Sequence, residues 1–253
     1  MEVELWQLAL LASAGVAAGF LNVMAGGGSL MTVPIMLFLG VPGPVANGTN
    51  RLSIIAQNLV AIRTFLRRGF SDFRLSLSLT LAGVPGAIAG SLVGVRLDGV
   101  WFDRVLAAVM VGVLVLMQLP GGKREAGGSL PLTRGRFVAG HLMMVGAGFW
   151  GGFIQIGVGF ILMPILHRVM GLDLVRTNMH KVFIALLHNA VALAIFASVV
   201  SIHWAFAVAL AAGNALGGYF GARFSVSGGE IWIRRVLTLV LILFIAKLLL
   251  PSN

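Results

Sequence analysis

Arginine and lysine open two apolar segments of this chain at matching places, Arg51 ahead of Asn58 and Lys181 ahead of His188. Seven residues separate the members of each pair, which on an α-helix leaves them about 20° apart on one face. Asn50 and His180 stand directly before the two cations. A cation in an apolar segment is costly, so it faces a cavity or a partner unless it snorkels to the interface from a segment end. Cations, amides and imidazoles are donors, and the chemistry they suit is the binding of a small anion. Upstream of each pair lies a glycine-containing break. Gly26-Gly27-Gly28-Ser29-Leu30-Met31-Thr32-Val33-Pro34 returns, weakened, as Ile156-Gly157-Val158-Gly159-Phe160-Ile161-Leu162-Met163-Pro164, an offset of 130 residues. Glycine lets the backbone leave a helix and approach a ligand without a side chain in the way. Where a short helix then begins, its free N–H groups and dipole favour negative charge.

The candidate substrate-binding set is therefore Gly26, Gly27, Gly28, Ser29, Thr49, Asn50, Arg51, Asn58, Gln155, Gly157, Gly159, His180, Lys181 and His188. Ser29 and Thr49 supply hydroxyls, and Gln155 precedes the second glycine pair as Asn22 precedes the first. Each has a plainer alternative, since small residues let membrane helices pack closely and amides bond between them. Packing is the reading for Gly83, Gly86, Gly90, Gly217 and Gly221. His180 and His188 are eight residues apart, not the four that would pair them on one helix face for a metal. The chain has no cysteine, which excludes thiolate ligands and disulfides. All eight acidic residues fall in loops or at segment edges, so no carboxylate stands where a proton- or sodium-coupled carrier often places one. With no HExxH motif, buried aspartate pair or Ser–His–Asp set, an enzyme is not expected. Neither a cofactor nor a metal is called for.

The elements that must carry these residues are membrane helices. Of 253 residues, 58% are hydrophobic and 10% charged, against about 25% charged in a soluble domain. Mean hydropathy is +1.00. Eight long apolar segments are expected at about 5–24, 49–66, 75–96, 101–119, 137–156, 181–201, 204–223 and 231–250, each near the length that spans a bilayer. Two shorter runs, 29–40 and 159–171, follow the glycine breaks and fit half-helices or re-entrant legs. The net charge of +10 lies in short loops, not in a basic domain, which argues against nucleic acid. Those loops (63–74, 120–136 and 223–235) fall on one side of the membrane if each short run counts as a crossing, as the positive-inside rule requires. The reading is an all-α polytopic membrane protein with a repeat over 1–120, a cytoplasmic linker over 121–136 and a second repeat over 137–253. Each repeat holds four long segments and one short one, in inverted topology, with both chain termini outside.

Gly26-Gly27-Gly28-Ser29, Pro34, Gly40 and Ala46-Asn47-Gly48-Thr49, taken in order, resemble the TauE/SafE family of membrane permeases, also called the toluene-sulfonate uptake permease family. The resemblance covers essentially the whole chain, including its two halves and basic central linker. The second half departs from the pattern at Gly157-Val158-Gly159 and Met179-His180-Lys181. The resemblance implies a secondary transporter for a small sulfur-containing anion, sulfite or an organosulfonate, working outward across the bacterial inner membrane. The alternatives are an anion channel, or an uptake permease for another small organic anion. The expected partners are the anionic substrate and the lipid bilayer.

Overall fold

The computed structural model describes residues 3–97, 99–118 and 129–225. Within them the chain is helical: α1 (Leu5–Ala25), α2 (Ser29–Phe38), α3 (Gly43–Arg67), α4 (Phe73–Gly94), α5 (Gly99–Gln118), α6 (Arg134–Phe153), α7 (Val158–Pro164), α8 (Leu174–Val199) and α9 (Trp204–Phe224). Seven of the eight long segments expected from sequence are present as helices, and 231–250 lies outside the described residues. Four helices among the described residues combine sufficient length and apolarity to cross a membrane: Leu5–Met24, Phe73–Gly94, Leu174–Val199 and Trp204–Phe224. The chain of α3, at 25 residues, is also long enough, but its first turns carry Asn47, Thr49, Asn50 and Arg51. Its low apolarity comes largely from those polar residues.

Local chemistry sets the boundaries. Glu4 and Gln7 form a reciprocal capping box on α1, which ends at Gly26 in the left-handed conformation, φ +83°. Asp72, Thr133 and Asp173 each accept a backbone N–H at the starts of α4, α6 and α8. Pro44 sits in the first turn of α3, where its missing N–H is harmless. After Pro164, α7 continues as one wider π-helical turn, Ile165–Val169, as happens when a proline removes a bond from the ladder.

Glycines set the packing. A Cβ on Gly213 or Gly217 would lie 2.0 Å from the carbonyl oxygen of Ala12 or Val16 in each case. On α4 and α6, a Cβ at Gly86 would meet Val145 O at 2.0 Å, and one at Gly90 would meet Phe149 O at 1.9 Å. The packing role expected for Gly83, Gly86, Gly90, Gly217 and Gly221 is what these contacts describe. In both pairs the residue numbers rise together, so α9 runs parallel to α1, and α6 to α4. Helices α3 and α8 lie between the pairs: α3 packs on α9 and α8, and α8 packs on α4. The Arg68 guanidinium donates to Arg223 O at 2.9 Å, which places the ends of α3 and α9 together. Residues 129 and 130 bond to Asp173 and Gly171, which joins the approach to α6 to the start of α8. The outer surface is apolar, with Leu5, Leu81, Leu142 and Val208 all at least 60% exposed. Trp6, Trp101 and Trp204 are exposed near helix starts, where interfacial indoles belong.

Candidate functional site

The two helix breaks meet face to face. A Cβ on Gly26 would stand 2.3 Å from Gly159 Cα, and one on Gly159 would stand 2.2 Å from Gly26 Cα. Only glycine on both sides permits this backbone contact. Gly28 is pressed as closely onto α1, at Ala18 O and the Asn22 side chain. The carbonyl of Gly27 accepts Leu30 N–H and begins α2. In the second break, Gln155 and Gly157 both adopt positive φ, +54° and +70°. For a residue with a Cβ, that conformation costs about 1 kcal/mol or more. Gly26 and Gln155 thus do the same backbone work one residue past α1 and two past α6, the second with a side chain attached. The Trp150 indole N–H donates to Ile156 O at 2.9 Å and holds this second turn in place.

Both cations are buried, and each holds the broken end of a helix from the other half of the chain. Lys181 Nζ, on α8, donates to the carbonyls of Asn22 and Val23 at 3.3 and 2.7 Å, at the end of α1. Arg51, on α3, donates to Gly151 O at 3.0 Å and Gly152 O at 2.5 Å, at the end of α6. Its guanidinium also reaches Asn189 Oδ1 at 3.4 Å and Asn47 Oδ1 at 3.5 Å, and stacks 4.4 Å from the Phe196 ring centre. Helix C-termini carry partial negative charge, which makes them acceptable but incomplete partners for a full positive charge. Neither side chain snorkels, since Arg51 is 0% and Lys181 3% exposed. Among the described residues no Asp or Glu is buried.

A small cavity of ≈ 20 Å³ lies between the breaks, lined by Asn22, Gly26, Ser29, Gln57, Asn58, Gln155, Gly159, Lys181 and Asn189 together with aliphatic groups. That volume admits about one water-sized group, so a larger anion enters only if the short helices move apart. Three amides run in sequence, Asn22 Nδ2 to Gln57 Oε1 at 3.2 Å and Gln57 Nε2 to Asn58 Oδ1 at 3.1 Å. Gln155 Nε2 donates to Asn47 O at 3.0 Å and Asn47 Oδ1 at 3.2 Å. Buried Asn58 Nδ2 and Gln155 Oε1 have no protein partner. A larger space of ≈ 340 Å³ between α5 and α7, bounded by Val109, Val113, Trp150 and Phe160, is almost wholly apolar and suits hydrocarbon.

Of the residues expected at the site, the structure brings Gly26, Ser29, Asn58, Gln155, Gly159 and Lys181 to the cavity wall. Asn50 stands one contact behind, its Nδ2 donating to Ser29 Oγ at 3.2 Å while its Oδ1 accepts from Thr32 and Ser53. Arg51 reaches the wall through Asn189. Gly27, Gly28 and Gly157 shape the turns. Thr49 lies elsewhere, its Oγ1 accepting His203 N–H at 3.0 Å where α9 begins. His180 and His188 face α4: the first pairs with Ser76 Oγ at 2.8 Å, and the second donates from Nε2 to Thr80 O at 3.0 Å. The shared face expected for Lys181 and His188 is therefore split. The lysine chain reaches sideways to α1, while the imidazole fills the notch above Gly83. Asn47, Ser53 and Thr32 also belong to this network, although the sequence singles out none of them as a site residue. Asn47 lay in plain view inside the Ala46-Asn47-Gly48-Thr49 motif, and polar spacing along α3 is the signal that marks it.

The family model "Sulfite exporter TauE/SafE" matches residues 11–248. Among similar proteins, a "Probable membrane transporter protein" of Haemophilus influenzae is 26% identical over 250 residues, which cover 98% of this chain and 96% of that one. "Probable membrane transporter protein ORF9" of a Sinorhizobium species is 25% identical, covering 96% of this chain and 92% of its own. "Probable membrane transporter protein YunE" of Bacillus subtilis is 24% identical, with coverage of 95% and 96%.

Proposed function

The chain belongs to the sulfite exporter TauE/SafE family, and on that footing we propose that it is a secondary transporter moving a small sulfur-containing anion outward across the bacterial inner membrane. The observation that carries this reading is the pair of buried cations, Lys181 on the cavity wall and Arg51 behind Asn189, with no buried acid among the described residues to neutralise them. Buried charge calls for a partner, and helix-end carbonyls supply only part of one. An anion seated between the breaks supplies the rest. Outward anion movement needs no coupled ion when the cytoplasm is negative, because the potential contributes about 2.3 kcal/mol per charge per 100 mV.

The two halves are read as inverted repeats. Three pairings support this: α1 on α9 beside α6 on α4, α3 on α9 beside α8 on α4, and the reciprocal grip of Lys181 and Arg51 on the other half's broken helix. Helix direction supports it too. The ends of α3 and α9 meet at Arg68 and Arg223, while α4, α6 and α8 start beside Arg74, Arg134 and Arg176. With the basic side cytoplasmic, α1 starts outside and the related helices run in opposite senses.

Flux into and out of proteoliposomes under an imposed potential tests the proposal, comparing sulfite, sulfate, an organosulfonate and chloride. Saturable, potential-sensitive sulfite or sulfonate flux without a proton or sodium gradient is expected. Folded protein that moves none of the sulfur anions would overturn the substrate class.

A further inference from the structure

We infer that the cavity selects small monoanions that carry a hydrogen-bond donor of their own, with Gln155 Oε1 as the acceptor that reads it. This rests on the anion-transporter reading and narrows its substrate class. The cavity wall offers three kinds of donor. Two of the three Lys181 N–H bonds are committed to Asn22 and Val23, Asn58 Nδ2 has no protein partner, and the Ser29 hydroxyl accepts from Asn50 and keeps its own O–H to donate. Those donors suit the oxygens of an anion. Gln155 offers the opposite. Its Nε2 faces the main-chain carbonyl of Asn47, which fixes the amide's orientation and leaves Oε1 as an unpaired acceptor, 98% buried as a residue.

The backbone adds a second, independent sign. Past α1 the left-handed position is filled by Gly26, which adopts it freely, whereas past α6 it is filled by Gln155 at φ +54°. A strained position occupied by a long amide, on a residue of the cavity wall, is backbone cost retained for the side chain. An oxyanion without a proton sets its lone pairs against Oε1. One with an O–H or N–H group satisfies all four wall groups together. Hydrogen oxyanions, sulfamates and hydroxysulfonates fit this class, and simple alkylsulfonates and sulfate do not.

The test uses full-length protein in proteoliposomes and three monoanions of one shape: sulfamate, methanesulfonate and fluorosulfate. Only sulfamate carries a donor, and the other two bracket it in size, so size alone cannot put sulfamate first. The expected result is a KM for sulfamate about tenfold or more below both others, because each of the others leaves a buried acceptor unpaired. In Gln155→Met the three values converge. Equal KM values in the wild type, with all three anions carried, overturn the inference and leave the anion-transporter reading standing. A sulfamate preference that survives Gln155→Met also overturns it. Should that variant not fold, N,N-dimethylsulfamate replaces it, and sulfamate-like affinity for that donor-free anion is the overturning result. Absence of flux for these anions and for sulfite brings down both readings together.

Discussion

The two helix breaks solve one problem with different chemistry. The first turns on glycine, closes onto α1 through Gly28 and is held by a flexible lysine whose ammonium also lines the cavity. The second turns on Gln155 and Gly157, is pinned by Trp150 and is gripped by an arginine stacked on Phe196. A guanidinium with a planar fork and an aromatic lid is a rigid clamp, whereas an ammonium on four methylenes can change partners. The difference teaches that similar placement does not mean equal duty. On the proposed reading the first break offers the ligand a movable charge, and the second offers it a fixed amide.

The strongest way to break that comparison is to crowd the point where the breaks touch. Gly26→Ala adds a Cβ against Gly159 backbone and a left-handed strain, so folded yield and flux should both collapse. Gly69→Ala supplies the control, being equally left-handed at φ +80° with open space around it; its cost should be only about 1 kcal/mol in thermal unfolding. Equal damage from both would mean that strain, not contact, governs the first break.

Next in size is the contrast between the cations. Arg51→Met strips Gly151 and Gly152 of charged donors and should lower stability by about 3 kcal/mol together with flux. Lys181→Met removes an incompletely compensated charge and should abolish saturable anion flux with little change in melting temperature. Reversal of that order would assign the clamp to lysine.

A subtler variant is Gln155→Gly. Relief of the left-handed strain is worth about 1 kcal/mol, and loss of the amide bonds to Asn47 costs about the same, so stability should hold while substrate preference falls. A large loss of stability would make Gln155 structural. The smallest effects separate the two hydroxyls. Ser29→Ala should raise KM several-fold, whereas Thr49→Val should cost about 1 kcal/mol at the α9 start and leave KM alone. Titration calorimetry on the purified variants, beside flux, would expose any exchange of those roles.

Much of this was legible in the chain. Glycine clusters marked both breaks, apolar runs marked the helices, and a cation in each half marked the inner residues, because each of these follows from what one segment tolerates. What stayed hidden depends on neighbours. Nothing in the spacing of Lys181 and His188 says that one side chain turns to α1 and the other to α4, since periodicity fixes an angle without naming what lies along it. Nor does a glutamine beside an isoleucine disclose that its φ is positive. By type and position Thr49 suits a ligand donor, yet it bonds to His203 N–H, a partner 154 residues away that only the packing of α9 brings near.

The reciprocal grip also imposes an order on biogenesis. Lys181 is synthesised after α1, so its carbonyl partners at Asn22 and Val23 are already in the bilayer when it arrives. Arg51 enters a hundred residues before Gly151 exists and must sit in lipid with about 2.5–3.5 kcal/mol against it until α6 is made. The first half therefore waits on the second, and translation that stops within the central linker leaves behind a bundle that the cell's membrane proteases should recognise as unfinished.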